Sequence, residues 1–365
     1  MPPPNPPTTT IHQPLHPTLL PTLDSEYTTF HNLHMQHVPR DESQPWDGSA
    51  RTTPSLPYGG SCLVDVGSTR DIRVGDFCVR VFTPEGEGEG DGDGDGDDDD
   101  GDDGWPVFVW FHGGGWAIVI TVAYRLAPEH IFPAAIDDAL AAMHWIHTQP
   151  LRPTTRLDLA NVAIGGTSAG ANIAIVLALR MLEDQTSFPW PLAALVLIVP
   201  VVDNTATIMT TTTTRSSTDD DDDSQREREE EASIWYPNRH APWLTSTRML
   251  WYRHMYMPDT TSWSSWAASP NLAPTSLLAK LPRTWIAVSE CDLLAPEALQ
   301  FAGLLEGLGV DVEKYVVQGG THSILALNGV LEKGRLLVEK AVNIVRNAFW
   351  GIEASIDKTT RLGDQ

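Results

Sequence analysis

Two glycine-rich motifs, each directly after an apolar run, hold the residues of this 365-residue chain whose types could do chemistry. His-Gly-Gly-Gly-Trp at 112–116 follows the apolar run 107–111, and Gly-Thr-Ser-Ala-Gly at 166–170 follows the run 162–164. A glycine-rich loop after a strand can direct backbone N–H groups at an oxyanion. A serine between two such glycines can stand exposed on a sharp strand-to-helix turn. Together the motifs predict acyl transfer with Ser168 as the nucleophile.

A serine hydroxyl is a weak nucleophile at neutral pH and needs a neighbouring base, usually a histidine that a carboxylate orients. In sheets of this kind both partners follow the serine along the chain, on loops after later strands. The run 284–288 leads to Glu290 and Asp292, and the run 313–317 leads to a glycine-rich loop that ends in His322. We therefore predict His322 as the base and Asp292 as the orienting acid, with Glu290 as the competing carboxylate.

The net charge of −24 is concentrated in two short segments. Residues 85–104 hold twelve acids and no base, and residues 219–231 hold nine acids and two arginines. The absence of a basic cluster argues against binding to nucleic acid or to an anionic membrane. The three cysteines lack metal-ligand spacing, so we expect neither a zinc site nor any other metal or cofactor. The chain has no secretory signal and no apolar run long enough to span a membrane, so we expect a cytoplasmic protein.

The rest of the chain alternates between short apolar runs and longer helical patterns. Apolar runs lie at 107–111, 117–123, 162–164, 193–199, 284–288 and 313–317, and helical patterns lie at 133–147, 169–183, 296–308 and 328–348. Strands alternating with helices predict an α/β fold whose mostly parallel central sheet is covered by helices on both faces. Residues 71–83, which alternate around a Gly-Asp pair, predict a hairpin.

Composition also divides the chain. We predict a disordered Pro/Thr-rich segment at 1–18, a single α/β domain at 19–348 and a C-terminal tail at 349–365. Within the domain we predict acidic low-complexity loops at 85–104 and 204–231, and cap elements near 19–60 and 232–260. The aromatic residues of the second cap segment could cover a pocket or could pack against the sheet, and the sequence does not separate these two possibilities.

Several motifs together resemble those of a known family. They are His112-Gly-Gly-Gly-Trp116, Tyr124-Arg-Leu-Ala-Pro-Glu-His130, Phe132-Pro-Ala-Ala135 and Gly166-Thr-Ser-Ala-Gly-Ala-Asn172. In this order they are similar to the hormone-sensitive-lipase-like, arylacetamide-deacetylase-type family of α/β-hydrolases. The resemblance implies an α/β-hydrolase fold with a small helical cap. It also implies a catalytic triad of Ser168, Asp292 and His322, an oxyanion hole from the N–H groups of Gly113, Gly114 and Ala169, and substrate contacts by Trp116 and Trp235.

The resemblance implies a serine carboxylesterase that hydrolyses short- or medium-chain acyl esters, with an ester of a secondary metabolite as one candidate. The partner would be a small-molecule ester; a thioester or a lactone would use the same groups. The alternative from another class is a non-catalytic small-molecule-binding protein on the same fold. Because His322 is present, the sequence favours the enzyme.

One departure from the family concerns the chain after Trp116. In the family, a helix separates the strand that ends in His-Gly-Gly-Gly from the next parallel strand, whereas here the run 117–123 follows at once. Parallel neighbours need a crossover of a dozen or more residues. We therefore expect that 117–123 cannot lie beside 107–111 without moving the glycine loop. A segment would then be missing after Trp116, and the chain could be an inactive truncated product.

Overall fold

The computed structural model describes residues 10–51, 59–62, 66–85, 104–111, 118–152, 154–208, 228 and 230–351. Eight strands form one sheet in the order β1-β2-β4-β3-β5-β6-β7-β8. They are β1 (Ser68–Val74), β2 (Phe77–Thr83), β3 (Trp105–Phe111), β4 (Ile118–Ala123), β5 (Leu157–Thr167), β6 (Leu192–Ile198), β7 (Thr284–Ser289) and β8 (Val312–Val317). Strand β2 is antiparallel to both of its neighbours, and the strands from β4 to β8 are parallel. The predicted mostly parallel sheet and its N-terminal hairpin are confirmed.

Seven α-helices with described bounds accompany the sheet. They are α1 (Ser25–Leu33), α2 (Ala134–His147), α3 (Ala169–Glu183), α4 (Ser246–Tyr256), α5 (Thr275–Leu278), α6 (Ala295–Gly307) and α7 (Glu332–Trp350). Helices α2, α3 and α6 pack on one face of the sheet, and α1 and α7 pack on the other. Because helices cover both faces of the sheet, the central strands are apolar on both sides. In β3, Val107 and Val109 face the first group of helices, and Phe108 and Trp110 face the second.

An ion pair fixes the start of α2 against the end of β4. Arg125 donates from its backbone N to Asp138 Oδ2 at 2.8 Å and from Nη2 to Oδ1 at 2.7 Å. Asp138 is buried in α2. Arg125 therefore attaches the end of β4 to the helix that leads to β5.

Strand β4 does lie beside β3 in parallel, with Val107 opposite Ile118 and Trp110 opposite Thr121. Only six residues, 112–117, connect the two strands, and these lie outside the described residues. Strand β4 therefore lies in the place beside β3 that we expected it to reach only if the glycine loop moved, and whether that loop has moved stays a prediction. The position of the glycine loop is not described.

A third apolar cluster lies beyond the carboxyl ends of the strands. It joins Ala206 and Ile208 with Trp235, Leu244 and Met249, together with Leu293 and Leu294 after β7. Residues 204–208 begin the predicted low-complexity loop, and in this irregular segment Asn204, Ala206 and Ile208 are buried, with Ala206 and Ile208 packed in this cluster. Residues 209–227 of the predicted loop lie outside the described residues, as do 86–103, 1–9 and 352–365.

The two segments predicted as cap elements touch each other. Arg248 of α4 donates from Nε to Glu42 Oε2 at 2.7 Å, and from Nη1 to Trp243 O at 2.9 Å. Both charged side chains of this pair are nearly fully buried, at 1% and 5% exposure. Breaking a buried ion pair by removing one partner is strongly destabilising. The N-terminal segment and α4 are thus held together as one unit.

Glu297 of α6 binds both the loop after β6 and the segment before α4. Its Oε1 accepts from the N–H groups of Val202 and Asp203 at 3.0 and 3.3 Å, and its Oε2 accepts from Trp235 Nε1 at 2.6 Å. Burial raises the pKa of this carboxyl to about 7, although the N–H donors favour the charged form. Arg253 lies nearby, and burial lowers its pKa to about 10.

The raised pKa of Glu297 predicts a pH dependence of stability. A carboxyl whose pKa is higher in the folded than in the unfolded state binds more protons when folded. Its contribution to the free energy of unfolding is therefore largest below the unfolded pKa and is lost as the pH rises through about 7. At about 1.4 kcal/mol per unit, the loss between acid and neutral pH is roughly 3 kcal/mol.

Urea unfolding of the wild type and of Glu297→Gln across this pH range measures the effect. The variant is less stable overall, because its amide nitrogen meets the Trp235 N–H donor, yet the difference between the two proteins shrinks as the pH rises. Parallel stability curves for wild type and variant would contradict the assignment.

Candidate active site

Ser168 sits on a strained turn between β5 and α3. Strand β5 ends at Thr167, α3 begins at Ala169, and Ser168 itself has φ 55° and ψ −119°. Residues other than glycine rarely adopt a positive φ, and the strain persists only where the surrounding structure imposes it. Here the Ser168 N–H donates to Ile198 O at 2.9 Å, which fixes the turn against β6.

The two glycines of the motif are required by close packing. A Cβ on Gly166 would lie 2.4 Å from the carbonyl carbon of Gly170, and a Cβ on Gly170 would lie 2.3 Å from the carbonyl oxygen of Phe111. Both distances are too short for any side chain. The spacing Gly-x-Ser-x-Gly therefore lets α3 start immediately above the strands, and this leaves the serine at their carboxyl ends.

Three side chains predicted from the sequence form one hydrogen-bonded chain. Ser168 Oγ lies 2.9 Å from His322 Nε2, and His322 Nδ1 lies 2.9 Å from Asp292 Oδ2. The histidine side chain is 14% exposed and the aspartate side chain 1%. The carboxylate can hold the ring with Nδ1 protonated, so that Nε2 is free to accept the serine proton.

Glu290, the competing carboxylate, is occupied elsewhere. Its Oε2 accepts from Gly319 N at 2.7 Å, and its own N–H donates to Val317 O at 3.1 Å. The next residue, Cys291, donates from its N–H to Gly320 O at 2.8 Å. Glu290 thus ties the loop after β7 to the loop after β8, while Asp292 is the carboxylate that contacts the histidine.

Cys291 lies between the two carboxylates. Its side chain is buried, and burial raises the pKa of the thiol to about 11. A thiol with such a pKa stays protonated at neutral pH and is a poor nucleophile.

Of the predicted oxyanion donors, the described residues include Ala169 alone. It is exposed and is the first residue of α3, so its N–H has no acceptor within the helix. Gly113, Gly114 and Trp116 lie outside the described residues.

Trp235 was expected to contact the substrate, and its position is different. The side chain is fully buried, packs in the third apolar cluster and donates from Nε1 to Glu297. A side chain without exposed surface cannot touch a ligand in this conformation. Its aromatic ring and single donor instead make it an anchor for the segment that precedes α4.

Sequence analysis missed two asparagines near the site. Asn172 of α3 donates to Val201 O and Ala268 O, both at 2.9 Å, and so fixes the loop after β6. Asn238 donates to Glu290 O at 2.9 Å and to Asp292 O at 2.6 Å. Asn172 could have been found, since it closes the motif that begins at Gly166. Asn238 lies in a short turn among aromatic residues and has no comparable signal.

Across the described ranges, no group of three or more histidine, cysteine, aspartate or glutamate side chains is arranged to hold a metal ion. Among the helices of the described part, none combines the length and apolar character needed to cross a membrane.

Comparison with known proteins agrees with this architecture. The Abhydrolase_3 family model, described as alpha/beta hydrolase fold, matches residues 117–326. An AB hydrolase superfamily protein of Schizosaccharomyces pombe is 31% identical over 367 aligned positions, covering 92% of this chain and 97% of the relative. The 3-O-acetylpapaveroxine carboxylesterase of Papaver somniferum is 25% identical, covering 66% of this chain and 78% of the relative.

A solved structure, carboxyl esterase 2 of the mycorrhizal fungus Tuber melanosporum, superimposes with a TM-score of 0.67 at 20% identity. It covers 90% of this chain, and 99% of the esterase chain is matched. At that identity the likeness concerns the fold. The family model and the Schizosaccharomyces pombe relative together establish that the chain belongs to the Abhydrolase_3 family of α/β-hydrolase fold proteins.

Proposed function

We propose that this protein is a serine carboxylesterase with Ser168 as nucleophile, His322 as general base and Asp292 as the orienting acid. The observation that carries the proposal is the hydrogen-bonded chain from Ser168 Oγ through the His322 ring to Asp292, with both contacts at 2.9 Å. The strained turn under Ser168 supports it as well, because such strain is commonly found at functional residues.

In the proposed mechanism, Ser168 Oγ attacks the acyl carbonyl carbon while His322 Nε2 takes the hydroxyl proton. The Asp292 carboxylate stabilises the imidazolium that forms. The imidazolium then gives its proton to the departing alkoxide, and the acyl group remains on Ser168 as an ester. A water molecule repeats the sequence to release the acid, with His322 again accepting and returning a proton. The N–H groups of Ala169, Gly113 and Gly114 are the proposed donors to the oxyanion.

For the substrate we propose short- or medium-chain acyl esters, with an acetylated secondary metabolite as one candidate. A relative is named for an acetyl ester of this kind, 3-O-acetylpapaveroxine. The buried pair of Arg248 and Glu42 supports a compact cap that does not open at a lipid surface. A thioester or lactone could be attacked by the same groups. A binding role without catalysis is less well supported, because His322 contacts both the hydroxyl and the carboxylate that a base requires.

A second candidate, a weakly active or inactive product that lacks a segment after Trp116, is favoured by the connection between β3 and β4. The linker must return from the end of β3 to the level of Val107, opposite which β4 begins. That return covers about 13 Å along the sheet. Six residues can bridge it when extended but cannot also contain a crossover helix.

Chirality says where the absent helix would lie. Right-handed crossovers put the connection β3 to β4 on the opposite face from the connection β5 to β6, because the two step in opposite directions across the sheet. Helix α3, in the connection β5 to β6, lies on the face that also carries α2 and α6, so the absent helix would lie on the opposite face. The other face presents Phe108, Trp110 and Val119, and in the described part of the chain Trp110 Nε1 is buried without a hydrogen-bond partner.

The comparisons support the same proposal. The family match begins at residue 117, directly after the His-Gly-Gly-Gly-Trp motif. The alignment with the Schizosaccharomyces pombe relative spans 367 positions but covers only 92% of a 365-residue chain. The relative therefore has residues that lack a counterpart here.

We predict that Ser168→Ala abolishes ester hydrolysis and leaves the fold unchanged. Loss of a triad nucleophile removes the covalent pathway, and losses of roughly 10⁶-fold in kcat are typical. Turnover of p-nitrophenyl acetate and covalent labelling by an organophosphate measure the change, with circular dichroism as the check on folding. Turnover above a few per cent of wild type in the alanine variant would exclude Ser168 as the nucleophile.

We predict a preference for soluble short-chain esters over emulsified long-chain triacylglycerols. The buried ion pair between α4 and the N-terminal segment opposes opening of the cap at an interface. Comparing kcat/KM for p-nitrophenyl acetate and butyrate with the rate of acid release from emulsified triolein tests this preference. Faster hydrolysis of the emulsion would show that the cap opens.

We predict that inserting the crossover helix of a family member after Trp116 raises kcat. Displaced oxyanion donors cost roughly 10² to 10³ in turnover for each one lost, and the insertion would allow them to return. A flexible Gly-Ser insertion of the same length is the control, since it relaxes the linker without supplying a helix. Equal turnover in the original chain and the helix insertion would refute the missing segment.

A further inference from the structure

Asn238 lies in a short 3₁₀ turn, Tyr236–Asn238, of the segment that precedes α4. Its side-chain amide donates to the backbone carbonyls of Glu290, at 2.9 Å, and Asp292, at 2.6 Å. These carbonyls lie on either side of Cys291, in the loop that carries the Asp292 carboxylate. One NH₂ group has two protons, so it can satisfy both carbonyls at once.

The N–H side of the same loop is held by a different part of the protein. Glu290 N donates to Val317 O and Cys291 N donates to Gly320 O, which ties the loop to the residues just before His322. Asp292 Oδ1 accepts from Leu294 N at 3.2 Å, and Oδ2 contacts His322. Asn238 adds restraint from the carbonyl side, so the peptide units around Cys291 are fixed from both directions.

Asn238 is itself firmly placed. Its N–H donates to Trp235 O at 3.0 Å, and its carbonyl accepts from Ala241 N at 2.8 Å. Trp235 in turn is fully buried and donates to Glu297, which lies one turn into the helix that follows the acid loop. The segment before α4 therefore binds the acid loop through Asn238 and the helix after that loop through Trp235.

We propose that Asn238 is a positioning residue that orients Asp292 toward His322 through the two carbonyls it binds. This inference rests on the proposed function, in which Asp292 is the orienting acid. Rotation of the peptide on either side of Cys291 would move the carboxylate relative to Nδ1 of the histidine. Misplacement of a catalytic group by about 1 Å can cost on the order of 10²-fold in rate. The segment before α4 is thereby coupled to the proposed catalytic acid.

The donor chemistry of the amide separates positioning from simple packing. Asn238→Asp keeps the size and shape of the side chain but replaces the two donors with a carboxylate that faces two carbonyl oxygens. Asn238→Ala removes the donors without adding repulsion. If the amide positions the loop, the isosteric variant is the more damaging one; if the side chain only fills space, the isosteric variant behaves as wild type.

The experiment compares these two variants with Ser233→Ala and Asp292→Asn in the full chain. Ser233 is the matched control, because its Oγ donates to Thr207 O at 2.6 Å in the same segment without touching the acid loop. The first measurement is kcat and KM for p-nitrophenyl acetate. The second is the far-downfield NMR resonance of the proton on His322 Nδ1, which forms the hydrogen bond to Asp292. The resonance does not depend on turnover, so it reports even if the chain is a weak enzyme.

We expect kcat to fall about 10- to 100-fold in Asn238→Ala and further in Asn238→Asp, with KM little changed. The downfield resonance shifts or broadens in both variants and is kept in Ser233→Ala. A wild-type kcat and resonance in Asn238→Asp would overturn the positioning role. If Asp292→Asn keeps both the resonance and the activity, the proposed triad fails instead; if it loses both while Asn238→Asp is unaffected, only the role of Asn238 fails.

Discussion

The close approach of α3 to the carboxyl ends of the strands is the constraint on which the site depends. Gly170 lies against the carbonyl of Phe111, and Gly166 lies against Gly170, so the chain must turn within one residue. That residue, Ser168, takes the strained conformation, and Ile198 O accepts its N–H. The strain is sustained because the surrounding elements are packed together in one apolar core, which holds their positions. These elements are β3, β5, β6 and α3.

Ser168 fixes only one end of the hydrogen-bonded chain. The rest of the chain requires that the loop with Asp292 and the loop with His322 are held in fixed positions relative to each other. Glu290 is central to this arrangement, although it does not contact His322: its carboxylate binds Gly319 in the loop after β8, and its N–H binds Val317 at the end of β8. The N-terminal segment reaches the same place, since Asp24 N donates to Gly319 O. The histidine loop is therefore held from the acid loop on one side and from the segment before α1 on the other.

Much of this could be predicted from the sequence, for physical reasons that vary between elements. The strands were visible because apolar runs such as 107–111 must be buried on both faces. Ser168 was visible because its glycines serve a steric need that is local in sequence. Asp292 was predicted as the acid but Glu290 stayed in competition with it, because which of two nearby carboxylates meets the histidine depends on the loop after β8. The burial of Trp235 also could not be foreseen, since it depends on Glu297, far along the chain.

The two halves of the proposed machinery depend on different connections. The hydrogen-bonded chain of Ser168, His322 and Asp292 is built from β5 to β8, where each parallel step contains a helix and the register is fully formed. The proposed donors Gly113 and Gly114 belong to the six-residue connection between β3 and β4, which lies outside the described residues. Loss of one proposed function without the other is possible because the proton relay is fixed by side chains on later loops, whereas two of the three proposed oxyanion donors belong to the connection between β3 and β4.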